Sequence, residues 1–331
     1  AASDVYKRQL YVFYRMQGWY QEGAREFGEA VAALLAPNKA VDALTPEEQR
    51  LSGQLLARQG KCCEFTAHAD QAQGLFERSL RILERLGARR DMALPLHGLG
   101  YMAHMRGDYV EAQARFGQSL ALYREYGDLW GMATTLGNLC LTSRRQGLFA
   151  DAQAQCRESL EIRREIGDRQ GIASAMNNLG LVYCTVGNYA EAQEILPTSL
   201  EICRELGYRV GVANASTHLG HAAFRLGDVA GAKRWTREAL SVYRDVGDTW
   251  GVAIALNNLG YMAMEEDDFA AAERSFRESV DLYRQAGIRA GLANTLANLG
   301  QASYHLGHRD PAWKTFREAL AIAQEASAVP T

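Results

Sequence analysis

The stretch GVAIALNNLG at 251–260 recurs in close copies at a fixed interval of 40 residues on both sides. Gly131, Gly171, Gly211, Gly251 and Gly291 open the copies, with Asp91 in the first of these places. Ala93, Ala133, Ala173, Ala213, Ala253 and Ala293 follow two residues later, and Leu99, Leu139, Leu179, Leu219, Leu259 and Leu299 close the run. A period of this length is the mark of a repeat solenoid, in which each unit is too small to bury its own apolar face and must stack on its neighbours. It therefore constrains the fold before any local propensity is weighed.

Within each period two stops and two starts are visible. The first helix ends at Gly107, Gly147, Gly187, Gly227 or Gly307, with Asp267 as the exception. Asp108, Asn188, Asp228 and Asp268 then stand where a side chain can cap the second helix. That helix stops at Gly87, Gly127, Gly167, Gly207, Gly247 or Gly287, and Asp128, Asp168 or Asp248 caps the next. Two antiparallel helices per repeat follow. Ala253, Leu256 and Leu259 form an apolar stripe on the first helix, and Ala272, Phe276 and Val280 form one on the second. Small residues at the crossings, Gly100 with Ala112, Gly180 with Ala192 and Gly300 with Ala312, let Phe116 or Phe316 fill the layer between pairs. The expected fold is an all-α solenoid of about eight antiparallel helix pairs in a right-handed superhelix.

The organisation along the chain is uneven only at its start. AASDVYKRQ, residues 1–9, resembles translated adapter sequence and is expected to be a non-native leader. Residues 10–45 hold a degenerate helix pair and an irregular linker, PNKAVDAL at 37–44. Thr45-Pro46-Glu47-Glu48 then restarts a helix with an N-cap, a proline at its first position and a capping box. A strict array of seven repeats spans 46–326, and 327–331 is a tail. Pro197 falls inside a second helix, where a bend is expected. Pro95 lies nearer the start of a first helix that Asp91 could cap.

These features resemble the tetratricopeptide repeat: a leucine-glycine step in the first helix, an alanine early in the second and an aromatic four residues on. The family's repeat is shorter, and its proline after the second helix is replaced here by an extension such as YREYGD at 123–128. The NNLG form with 40-residue spacing is similar to the C-terminal sensor arms of bacterial STAND-type signalling ATPases and transcriptional regulators. It is also similar to animal spindle-orientation adaptors and, more distantly, to Gram-positive peptide receptors. The resemblance implies a non-catalytic, cytoplasmic scaffold that takes a protein or peptide segment in a concave groove. It also implies an ATPase or DNA-binding domain upstream in the full-length protein. The alternatives are the non-catalytic repeat region of a multidomain enzyme, or a superhelical domain sensing a small molecule.

The candidate site lies two residues before the recurrent glycine, at Asn138, Asn178, His218, Asn258 and Asn298. Asparagine is a mediocre helix former, but mid-helix it offers both a donor and an acceptor. Residues four before and three after share its face, among them Asn214, Asn294 and Tyr261, and another turn adds Arg145 and Arg225. Two readings stand open: the asparagines grip the backbone of a ligand, or they bond within and between first helices. Trp130 and Trp250, at the starts of first helices, fit a hydrophobic staple, and Tyr123, Tyr243 and Tyr283 fit core or rim packing.

Other chemistry finds no support. His218 with His221, and His305 with His308, have helical spacing but no third metal ligand beside them, so neither a metal nor a cofactor is expected. No phosphate loop, GxSxG elbow or carboxylate pair is present. With 36 basic against 39 acidic residues and a net charge of −3, the composition does not favour nucleic acid. Apolar runs such as AVAALLA fall short of the roughly 18 residues a membrane span needs. The six cysteines lack metal spacing, and buried free thiols are expected.

Overall fold

The computed structural model describes residues 10, 19–35, 43–64, 69–289 and 291–327. Among these the regular structure is helical and strands are absent. The proposed leader, the first helix of the degenerate pair and most of the linker at 37–44 lie outside the described residues. The helices form two compact units, residues 1–167 and 168–331. In the first, α1 (Tyr20–Leu34) precedes three pairs: α2 (Pro46–Cys63) with α3 (Ala69–Arg85), α4 (Arg89–Arg106) with α5 (Tyr109–Glu125), and α6 (Leu129–Arg145) with α7 (Phe149–Glu165). The second holds four pairs: α8 (Arg169–Val186) with α9 (Tyr189–Glu205), α10 (Arg209–Arg225) with α11 (Val229–Val246), α12 (Thr249–Met264) with α13 (Phe269–Gln285), and α14 (Leu292–His305) with α15 (Arg309–Ser327).

The sequence punctuation accounts for nearly every boundary. Thr45 closes a complete capping box with Glu48. Asp108, Asp128, Asp168, Asp228, Asp248 and Asp268 each accept a bond from the backbone N–H three residues on. At the other end Gly107 takes φ 84°, and Asp108 N–H reaches back to the Ala103 carbonyl, closing the left-handed turn that ends α4. Asp267, in the glycine place of its repeat, adopts the same left-handed region at φ 59°. Asn188 departs from expectation, because its side chain makes no cap. Asp91 does too: α4 begins at Arg89, and the Asp91 carboxylate instead accepts from Arg50 and Gln54 of α2. Gly291 is the cap of a late-starting α14 rather than its third residue. Pro197 leaves α9 unbroken, with its ring exposed.

Packing explains the small residues. A β-carbon on Gly60 or Gly100 would come within 2.8 Å of the Phe76 or Phe116 ring, and one on Gly180 within 2.5 Å of Leu196. Phe76, Phe116, Phe276 and Leu196 are wholly buried in consequence. The opening glycines have a similar cause that periodicity did not reveal, since the rings of Tyr123 and Tyr243 lie against Gly131 and Gly251.

Cys140 and Cys156 occupy the crossing places that Gly100 and Phe116 hold one repeat earlier, and they are joined in a disulfide. The expectation of free thiols is therefore corrected for this pair, and it stands for Cys62, Cys63, Cys184 and Cys203, all buried. The two positions face one another in every repeat, so cysteines in both meet.

One recurrent bond fixes five of the seven pairs internally, Ala239 and Ala319 standing in the serine place of the other two. A buried serine of the second helix donates to a carbonyl of the first helix 26 residues earlier: Ser79 to Gly53, Ser119 to Ala93, Ser159 to Ala133, Ser199 to Ala173 and Ser279 to Ala253. Between pairs, exposed arginines reach the next second helix, as in Arg124–Glu158, Arg204–Glu238, Arg244–Glu278 and Arg284–Glu318. Such exposed ion pairs contribute about 0–1 kcal/mol each, so apolar stacking carries the stability.

Candidate functional site

First helices of successive pairs touch: α2 with α4 and α4 with α6 in the first unit, α8 with α10, α10 with α12 and α12 with α14 in the second. Their free faces therefore line the crowded, inner side of each stack. Every proposed site residue lies on one of these helices, and the set divides by what each side chain already touches.

In the first unit the Asn138 amide donates to His97 Nε2 at 3.0 Å. That leaves the proton of the neutral imidazole on Nδ1, which is buried without an acceptor. Burial, and then the charge of Lys61, hold His97 well below the usual histidine range, so it stays neutral. Lys61 pairs with Glu64 at 2.5 Å, yet burial outweighs that cation and pushes the Glu64 carboxyl up to about 7. Arg145 is exposed at the end of α6. His104, bonded to Thr142 at 2.9 Å, is lowered by burial and then by Arg145 and Arg144.

In the second unit the doubled asparagine of NNLG separates into two roles. Asn177 donates to the Gly211 carbonyl at 3.1 Å and accepts from Ser199, while Asn257 accepts from Asn298 at 3.1 Å. The second members, Asn178 and Asn258, are half-buried and make no bond to another described residue. Asn298 is tied down on both sides, because it also accepts from the Tyr261 hydroxyl at 2.9 Å. Asn214 accepts from Tyr243 at 3.1 Å. His218 is half-buried and Asn294 exposed. Arg225 lies over the Tyr189 ring, 5.1 Å from its centre. Thus Asn138, Asn214 and Asn298 bond within the structure, while Asn178, Asn258 and Asn294 bond to no other described residue.

Sequence reasoning missed the aromatic residue that opens the second helix. Tyr189 packs edge-on against His221, and Phe269 stacks on His305 with ring centres 4.4 Å apart. These rings border the inner face, and the signal was present as an aromatic following the capping residue in Tyr109, Phe149, Tyr189 and Phe269. Trp250, read as a staple, is 47% exposed. Among the described residues no three His, Cys, Asp or Glu side chains gather as a metal site would require. Nor is any described helix long and apolar enough to cross a membrane.

The tetratricopeptide repeat model matches residues 51–125, 131–190, 171–245 and 251–325. No curated protein sequence matches the chain. Among solved structures it is similar to a Rap protein complexed with competence and sporulation factor, at 12% identity and TM-score 0.60, covering 97% of this chain and 99% of that one. It is also similar to the apo quorum sensor NprR from B. thuringiensis, at 12% identity and TM-score 0.62, covering 98% and 100%. A third is a signal-transduction ATPase with a tetratricopeptide repeat sensor from Pyrococcus horikoshii, at 14% identity and TM-score 0.64, where the match covers 93% of this chain and 54% of that one. Identities this low speak to the fold alone. With the family model spread over four stretches of the array, the chain belongs to the tetratricopeptide repeat family.

Proposed function

We propose that the inner face of the second unit binds an extended segment of a peptide or protein, and that the chain serves as the sensing arm of a larger cytoplasmic signalling or transcriptional regulator. One observation carries the reading: Asn178 and Asn258 hold half-buried amides at equivalent places of their helices with no partner among the described residues. Alanine is the better helix former, so an amide kept mid-helix without a bond has no folding benefit. A peptide backbone supplies the matching acceptor and donor, each bond being worth about 0.5–1.5 kcal/mol net. The complex of the similar Rap protein with competence and sporulation factor, and the tetratricopeptide repeat sensor of the similar signalling ATPase, support the reading. No catalytic step is assigned to the face.

The test is Asn178→Ala with Asn258→Ala, measured for thermal stability and for capture of members of a displayed random-peptide library. The variant is expected to melt at the wild-type temperature or slightly above it, while capturing fewer peptides. Lowered stability with unchanged capture would show the amides to be structural and defeat the proposal.

A further inference from the structure

The inner face of the second unit carries few charges. Its four helices contribute Ser174, Asn178, Leu181 and Thr185 from α8, and Asn214, His218, His221 and Arg225 from α10. From α12 and the residue after it come Ile254, Asn258, Tyr261 and Glu265, and from α14 Asn294, Asn298, Gln301 and His305. Arg225 and Glu265 are the formal charges in this set. They occupy the same place in adjacent repeats, and both are exposed.

Neither charge has a folding partner that explains it. Arg225 is held over the Tyr189 ring without a carboxylate, and stacking of this kind fixes the plane of the guanidinium while leaving its N–H fork free. Glu265 is the C-cap residue of α12, where the helix dipole disfavours an anion, and among the described residues no cation pairs with it. The other repeats of this unit place a neutral residue, Thr185 or His305, or the cation Arg225 there, in keeping with the dipole. By contrast, the neighbouring Glu266 is paired with Lys233.

We infer that Arg225 and Glu265 read a pair of opposite charges on the bound segment, an acidic side chain over α10 and a basic one over α12. Adjacent packed helices lie about 8–10 Å apart. A polyproline-II segment advances about 9.3 Å in three residues and returns to the same side after each turn. The recognised peptide therefore carries its acidic and basic residues three positions apart on one side. The same conformation has no internal hydrogen bonds, so its backbone groups are open to Asn178 and Asn258, two helix spacings and about two peptide turns apart.

This inference rests on the peptide-binding reading, and one experiment separates their failures. A displayed random-peptide library is selected against the wild-type chain, against Arg225→Glu with Glu265→Arg, and against Arg225→Gln with Glu265→Gln. Thermal melts establish that all three fold. Wild type is expected to enrich peptides with opposite charges three apart in one order, and the charge-swapped variant the reverse order. The neutral variant should still enrich peptides, without the charge pattern. Each charge reversal should weaken a wild-type peptide about 3- to 10-fold at low salt. The same peptides enriched on all three chains would overturn the charge reading and leave the binding face standing. Failure of wild type to enrich any peptide would overturn both.

Discussion

Gly180 is the sharpest place to test the packing of the second unit. A β-carbon there would lie 2.5 Å from Leu196 Cδ2 and 2.7 Å from Cγ. Carbon atoms sit best at about 3.5–4.0 Å, so the overlap is about 1 Å. Leu196 is fully buried and has nowhere to retreat. Gly180→Ala should then incur an overpacking cost of about 1–3 kcal/mol, set against the gain of up to about 1 kcal/mol that alanine brings to a helix. Gly117 is the control, being exposed inside α5 with nothing within 4 Å of its β-carbon position. Gly117→Ala should show the helix gain alone. For units of this size about 2–4 °C accompanies each kcal/mol. Calorimetry should place Gly180→Ala below Gly117→Ala by about 1–3 kcal/mol, and adding Leu196→Ala should relieve the strain as a coupling of about 0.5–3 kcal/mol. If both alanines stabilise alike and the cycle shows no coupling, the crossing is not close and the assignment of glycine to it is wrong.

Three other outcomes are expected. Reduction of Cys140–Cys156, which closes a separation of 16 residues, should cost the first unit about 3 kcal/mol and lower its melting midpoint; a midpoint indifferent to dithiol would contradict the bond. Glu64 has a folded pKa raised from 4.5 to about 7, so the folded state holds its proton more tightly. Its contribution is present below about pH 4.5 and lost as pH climbs towards 7, and Glu64→Gln should flatten that part of the stability–pH curve; an unchanged slope would refute it. Asp267→Gly should raise the midpoint of the second unit, by about 1 kcal/mol, because glycine adopts φ 59° without the side-chain penalty. A lower midpoint there would mean that the Asp267 side chain stabilises its turn.

The repeat made the helices legible because its punctuation is local: a cap and a stop lie within three or four residues of what they control. The departures occur where one repeat substitutes for the rule. Asp91 bonds to Arg50 and Gln54 rather than to its own helix, and Gly291 turns left-handed and shortens α14. The asparagines were harder to read. Whether an amide is spent inside the protein depends on neighbours present in only some repeats, His97 for Asn138, Tyr243 for Asn214 and Tyr261 for Asn298, each 29–41 residues distant in sequence. Periodicity reports what repeats share, so it could not separate Asn177 from Asn178. The cysteine pair was visible in principle, since positions 140 and 156 fall on facing places of one crossing.

The serine bonds that join the two helices of a pair reach back 26 residues, whereas bonds between pairs reach 30–41. Within a unit, then, each serine-bonded pair grips itself over a shorter stretch of chain than it grips its neighbour. Under tension along the stack, neighbouring pairs should part at their exposed ion pairs before any pair opens its buried hydroxyl bond. The extension curve should climb in steps of one repeat, with each parted pair able to close again as a preassembled hairpin once the load is removed.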